Sequence, residues 1–263
     1  MKKVYSTFTT GLTVSLFVFM VHAQPPQPAS KEVTFKAKDG VTLYGDVFLS
    51  KKGKEAPLIM LFHQAGGDAR GEYGPIVPRL LEQGWNVLEV DQRSGGSRFG
   101  NVNRTVAALE GKQYSYCDAY QDLEAALQYA KYAGFAGKRF AWGSSYSAAL
   151  VIQLGAKHPK DLAGVLAFSP ATGGPMADCK PEQFVPNLKI PVLALRPASE
   201  AKLKSVQHQI GLFHDHGIRT YVADPGVHGS SMLVPERVGS ETGKTWNVVL
   251  QFIRSVLDNS NSK

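Results

Sequence analysis

The chain has 263 residues, 43% of them hydrophobic and 19% charged, enough apolar content for a large single core. Its formal charge of +7 comes from 29 Lys and Arg against 22 Asp and Glu, and these are spread along the chain without a basic cluster. That pattern excludes a nucleic-acid footprint, and the two cysteines have no metal-like spacing.

At the N-terminus, Lys2 and Lys3 precede an apolar run from Gly11 to Val21, and Val21-His22-Ala23 offers small residues at a cleavage position. Residues 1–23 therefore read as a secretory signal peptide, with an uncleaved anchor helix as the alternative. No cysteine lies near Ala23 to carry a lipid. Residues 24–32, opening Gln24-Pro25-Pro26-Gln27-Pro28, are expected to form a stiff Pro-rich linker. Cleavage takes Lys2 and Lys3 with it and leaves a charge of +5. Residues 33–259 are then read as one domain, exported to the periplasm or beyond, with no stable membrane association after cleavage.

Residues 33–49 alternate apolar and polar on both sides of Asp39-Gly40, a pair that tolerates positive φ, so they predict an antiparallel hairpin with a tight turn. After the hairpin the rhythm changes. Residues 58–62, 86–90, 139–142, 164–168, 192–195 and 219–223 are short strand-like runs, several of them apolar throughout. Such runs suit strands covered on both faces. Between them lie helical stripes: Tyr73, Ile76, Val77, Leu80 and Leu81; Leu123, Ala126, Leu127 and Ala130; Leu203, Val206, Ile210 and Phe213; and Trp246, Val249, Leu250, Ile253 and Leu257. Alternating strand and helix predicts a mostly parallel α/β sheet, with any ligand beyond the carboxyl ends of the strands.

At one such end stands Gly143-Ser144-Ser145-Tyr146-Ser147. A strand that turns at once into a helix holds its turn residue strained and outward, and the residues two before and two after must be small. Gly143 and Ser147 flank Ser145 in that way, making Ser145 the nucleophile and leaving Ser144 and Ser147 as packing residues; a Ser-rich helix cap is the bland alternative. A serine needs a base, and the base an orienting acid. His228 lies in a glycine-flanked loop after the last strand, and Glu200 follows the strand at 192–195. His63, His158, His208, His214 and His216 are weaker bases. Asp178, Asp215 and Asp224 are rival acids, and a first-turn glutamate capped by Ser199 is the structural alternative for Glu200. His214-Asp215-His216 lacks a third metal ligand, so neither metal nor cofactor is expected. The oxyanion of an acyl-transfer intermediate needs backbone N–H groups. Tyr146 and either Gln64 or Ala65, in the glycine-bearing loop after residue 62, are the expected donors.

Four motifs in this order, "LFHQAGG", "DQRSGGS", "WGSSYSAAL" and "GVHGSSML", resemble those of α/β-hydrolases of the dienelactone-hydrolase-like serine esterase and peptidase type. The resemblance spans residues 33–257. It implies the α/β-hydrolase fold, a structural rather than catalytic Arg93, and a serine hydrolase acting on carboxylic esters. Three departures stand out: Ser147 replaces the second elbow glycine, Glu200 stands where aspartate is usual, and serine replaces the cysteine of dienelactone hydrolases proper. The short interval between residues 168 and 192 leaves little room for a lid, with Tyr146, Phe184 and Met232 as wall residues. The expected partner is a small-molecule ester or short peptide. An aminopeptidase-like peptidase and a non-catalytic binding protein on the same fold are the alternatives. Export also predicts a disulfide between Cys117 and Cys179 rather than two buried thiols.

Overall fold

The computed structural model describes residues 28–259, so the signal-peptide reading and the start of the linker lie outside the described residues. Strand β1 (Lys31–Lys36) takes up the last two residues of the expected linker and pairs antiparallel with β2 (Thr42–Phe48), Phe35 opposite Leu43. The hairpin closes on the Ala37–Val41 pair, with Gly40 at φ 88°. The turn therefore has three residues, 38–40, with the left-handed position at its end, where only glycine is unstrained.

From there strand and helix alternate: β3 (Leu58–Phe62), α1 (Ala69–Tyr73), α2 (Val77–Glu82), β4 (Asn86–Asp91), α3 (Arg104–Ala108), α4 (Tyr120–Tyr132), β5 (Arg139–Ser144), α5 (Tyr146–Lys157) and β6 (Gly164–Phe168). Then come β7 (Val192–Pro197), α6 (Ala198–Ala201), α7 (Lys204–Asp215), β8 (Arg219–Ala223), α8 (Pro235–Val238) and α9 (Gly243–Asn259). The first helical stripe is broken in two around Gly74-Pro75, since Pro75 has no N–H to donate back into α1. Leu203 is not part of the third stripe: it precedes α7 and is 55% exposed.

The eight strands form one sheet in the order β1-β2-β4-β3-β5-β6-β7-β8, antiparallel for the β1–β2 and β2–β4 pairs and parallel elsewhere. Period-two alternation splits β3 between two cores. Leu58, Met60 and Phe62 face α4 and α5, while Ile59 and Leu61 face α1, α2 and α9. This explains why the central strands carry no polar face. Between β6 and β7 the chain passes through three short 3₁₀ turns, Gly174–Cys179, Pro181–Gln183 and Val185–Asn187, with no lid domain. Cys179 in the first of these is bonded to Cys117, just ahead of α4, with Cα atoms 5.7 Å apart. Among the described residues, no helix is long and apolar enough to cross a membrane, and no group of three or more His, Cys, Asp or Glu could hold a metal ion.

Candidate active site

The last residue of β5 and the first of α5 are separated by Ser145 alone, so the whole reversal falls on it. Its backbone sits at φ 60°, ψ −118°, a region that costs a non-glycine residue about 1–3 kcal/mol. Packing enforces it. A Cβ on Gly143 would lie 2.3 Å from the Ser147 carbonyl oxygen, so only glycine fits there. Ser147 is fully buried, and its hydroxyl donates to the His63 carbonyl at 2.6 Å, with Gln92 Oε1 2.9 Å away. The residue that replaces the second elbow glycine thus ties the elbow to the neighbouring loop. Ser144 is also buried; its Oγ accepts the Ser230 N–H at 3.0 Å, and Ser230 Oγ in turn accepts the Trp142 indole N–H at 2.9 Å.

Those last two bonds anchor the loop that carries His228. That side chain is half-exposed, and its Nδ1 donates to Glu200 Oε1 at 2.5 Å. Glu200 sits in α6, directly after β7. Ser199 lies inside this helix and caps nothing, and the cap position is Pro197. The same Glu200 oxygen accepts the Ser169 hydroxyl at 3.1 Å, and the other accepts Arg196 Nη1 at 2.8 Å. Burial pushes the Glu200 carboxyl up. The His228 bond and charge, the Arg196 guanidinium and the Ser169 hydroxyl outweigh it and hold the group below the ordinary glutamate value. Asp178, Asp215 and Asp224 are exposed, and none is hydrogen-bonded to His228.

Three of the rival histidines are engaged elsewhere, and His208 and His216 are exposed, the first on α7 and the second just after it. His63 is fully buried: its Nε2 accepts the Gln92 N–H at 2.9 Å, so Nδ1 carries the proton and donates to the Gln64 carbonyl, also at 2.9 Å. His158 pairs with Glu124, and His214 with Thr220.

After β3 the chain forms a turn, Gly67 N–H donating to the Gln64 carbonyl at 3.0 Å with Gly66 at φ 67°. Here one expectation is corrected. The Gln64 N–H is already spent on Glu72 Oε2 at 2.8 Å, and its side-chain amide faces the other oxygen of the same carboxyl. Gln64 therefore cannot be the second oxyanion donor, whereas the Ala65 and Tyr146 N–H groups have no partner among the described residues. Glu72 is itself fully buried; desolvation raises its carboxyl, opposed by the Ser144 hydroxyl, the Gln64 N–H and the Arg237 guanidinium. The turn is strapped down from the other side by Gly96 N–H to the Gly67 carbonyl and Arg98 N–H to the Gly66 carbonyl.

Arg93, in "DQRSGGS", is buried and pairs with Asp122 of α4 and with Asp39 of the hairpin, which makes it a structural brace. Met232 is a second correction. It is 0% exposed and packs in the core beneath α9, so it walls no pocket. Phe184 is half-buried against the α4–α5 core, and Tyr146 is buried there with its ring stacked on Tyr116 at 4.7 Å. Sequence reasoning missed Ser169, Arg196 and Glu72. The signals were faint: a serine before Pro170 at the end of β6, an arginine four residues ahead of Glu200, and a glutamate in a helix that only the fold carries beneath the elbow.

The family described as "Serine aminopeptidase, S33" matches residues 53–234, more than half of the chain. No curated protein matches it in sequence. Among solved structures, an esterase of Pyrococcus furiosus superposes with a TM-score of 0.66 at 16% identity, covering 87% of this chain and 91% of that one. A Klebsiella pneumoniae protein described as a dienelactone hydrolase gives 0.66 at 16% identity, covering 85% and 97%. The acylaminoacyl peptidase of Pyrococcus horikoshii gives 0.62 at 15% identity, and the match covers 87% of this chain but 42% of that one. At these identities the likeness is one of fold.

Proposed function

The chain belongs to the serine aminopeptidase family S33, a family of α/β-fold hydrolases, and on that premise we propose that it hydrolyses carboxylic esters through an acyl-enzyme on Ser145. His228 takes the Ser145 proton as the oxygen attacks the acyl carbon, and Glu200 holds Nδ1–H so that Nε2 is free to do so. The N–H groups of Ala65 and Tyr146 receive the oxyanion. His228 returns the proton to the leaving alcohol, then activates the water that releases the acid.

One observation carries this reading: the 2.5 Å His228–Glu200 bond lies in a fold whose elbow holds Ser145 at positive φ. The ester preference draws on the interval between β6 and β7, which builds only 3₁₀ turns and no domain that could sort peptides. The family description favours a second reading, an aminopeptidase acting on short peptides. Export is proposed with it, since a bonded Cys117–Cys179 pair suits an oxidising compartment.

The test is a panel of p-nitrophenyl esters of rising chain length beside aminoacyl-p-nitroanilides. Ester turnover that disappears in Ser145→Ala, together with its fluorophosphonate labelling, is expected. Anilide turnover exceeding ester turnover would move the assignment to peptidase, and labelling that survives in Ser145→Ala would overturn the nucleophile.

A further inference from the structure

The Glu200 carboxylate faces two nitrogen donors on different oxygens. Oε1 meets His228, and Oε2 meets Arg196 Nη1 at 2.8 Å. Arg196 lies near the end of β7 and is 6% exposed. Its Nη2 donates to the Pro170 carbonyl and to Gln209 Oε1, and Gln209, fully buried in α7, donates to Glu182 at 2.9 Å. Burial lowers the proton affinity of the guanidinium, with Glu200 and then Glu182 opposing. A guanidinium so bonded keeps its charge at any working pH, and out of water that charge is weakly screened. A carboxylate that only orients an imidazole has no need of a second, permanent cation.

We propose that Arg196 is a positioning residue for this hydrolase: it clamps Glu200 in the arrangement that meets His228, and its charge sets how far into acid the enzyme keeps working. The proposal rests on the Ser145–His228–Glu200 reading. Its clamp function follows from geometry. One planar fork joins β7 to the segment after β6 through Pro170, to α7 through Gln209 and to Glu200 itself, a span that a point-charge ammonium cannot reproduce.

The charge function follows from competition for one anion. With the guanidinium on Oε2, the carboxylate is a weaker partner for a protonated imidazole on Oε1. The imidazole is then free to act as a base at lower pH. Remove the positive charge, and Glu200 holds the imidazolium more firmly, so the base stays protonated to higher pH. The groups facing the pair agree with this sign. Ser169 from the end of β6 and Gln209 from α7 are neutral, and Glu182 from the 3₁₀ turn at 181–183 reaches Arg196 from the far side of Gln209. Glu182 thus partly offsets Arg196.

The experiment is the pH profile of kcat/KM for p-nitrophenyl acetate with wild type, Arg196→Gln, Arg196→Lys and Glu182→Gln. An opposite charge in direct contact shifts a carboxyl by about 1–3 pH units; one group further away, the acidic limb in Arg196→Gln should move up by about one unit. Arg196→Lys should keep the limb near the wild-type position while its plateau falls roughly tenfold, because charge is retained and the fork is lost. Glu182→Gln should move the limb a few tenths of a unit, on the order of 0.3, towards acid. A limb that stays put in Arg196→Gln, or moves equally in the Gln and Lys variants, overturns the charge role. Should Arg196→Gln fail to fold, an unmoved limb in Glu182→Gln overturns it instead. Failure of the triad reading looks different: labelling would then survive in Ser145→Ala whatever the pH profiles do.

Discussion

Replacing Glu200 by glutamine poses a problem that the surrounding donors make insoluble. The carboxylate accepts from His228 and Ser169 on one oxygen and from Arg196 on the other. Glutamine offers one acceptor oxygen and one donor nitrogen in that space. Arg196 can only donate, so the amide oxygen must turn towards it and the NH₂ group towards His228. Ser169 can adapt, because a hydroxyl rotates. His228 cannot adapt without changing tautomer: its Nδ1 must become the acceptor, which puts the proton on Nε2, the nitrogen that should receive the proton of Ser145. The opposite amide orientation sets an NH₂ group against the guanidinium. The same kind of amide substitution in a serine-protease triad costs about 10⁴ in kcat, equivalent to about 5 kcal/mol of transition-state stabilisation. Glu200→Gln should show a loss of that size in p-nitrophenol release under single-turnover conditions, with circular dichroism unchanged. Activity within tenfold of wild type, on the order of 1 kcal/mol, would refute the assignment of the acid; an equally large loss in Asp178→Asn would move the acid to the loop after β6.

Two further outcomes probe the frame around the site. Cys117→Ala with Cys179→Ala removes a cross-link over a sequence separation of 62, for which chain entropy predicts a loss of about 4 kcal/mol; urea denaturation should show it, and a change under about 1 kcal/mol would mean that the unfolded chain is barely constrained by the bond. Gly143→Ala drives a Cβ to 2.3 Å from the Ser147 carbonyl oxygen, so the elbow must open. The expected result is a fall of at least about 1–3 kcal/mol in stability and a collapse of the fluorophosphonate labelling rate. Wild-type labelling in that variant would contradict the elbow geometry.

Much of this protein could be read from the chain because local chemistry and local structure coincide there. A strand buried on both faces favours apolar residues at every position, and β3 and β6 carry nothing else. A strand-to-helix reversal in one residue demands small neighbours at fixed spacing, so Gly143 and Ser147 single out Ser145 in the sequence alone. The tertiary structure decided what depends on which way a group points and what stands opposite it. Met232 shares the loop of His228 yet turns into the core, and Gln64 sits in the expected loop yet has its N–H taken by Glu72. Glu200 was one carboxylate among four until the fold set it against His228, and nothing in the string Arg196-Pro197-Ala198-Ser199-Glu200 says that the first residue bends back onto the last. Hydrogen bonds are made or lost over tenths of an ångström and a few tens of degrees. Sequence spacing carries that precision along one turn of a helix or one strand end; between strands brought together from distant parts of the chain, only the packed sheet supplies it.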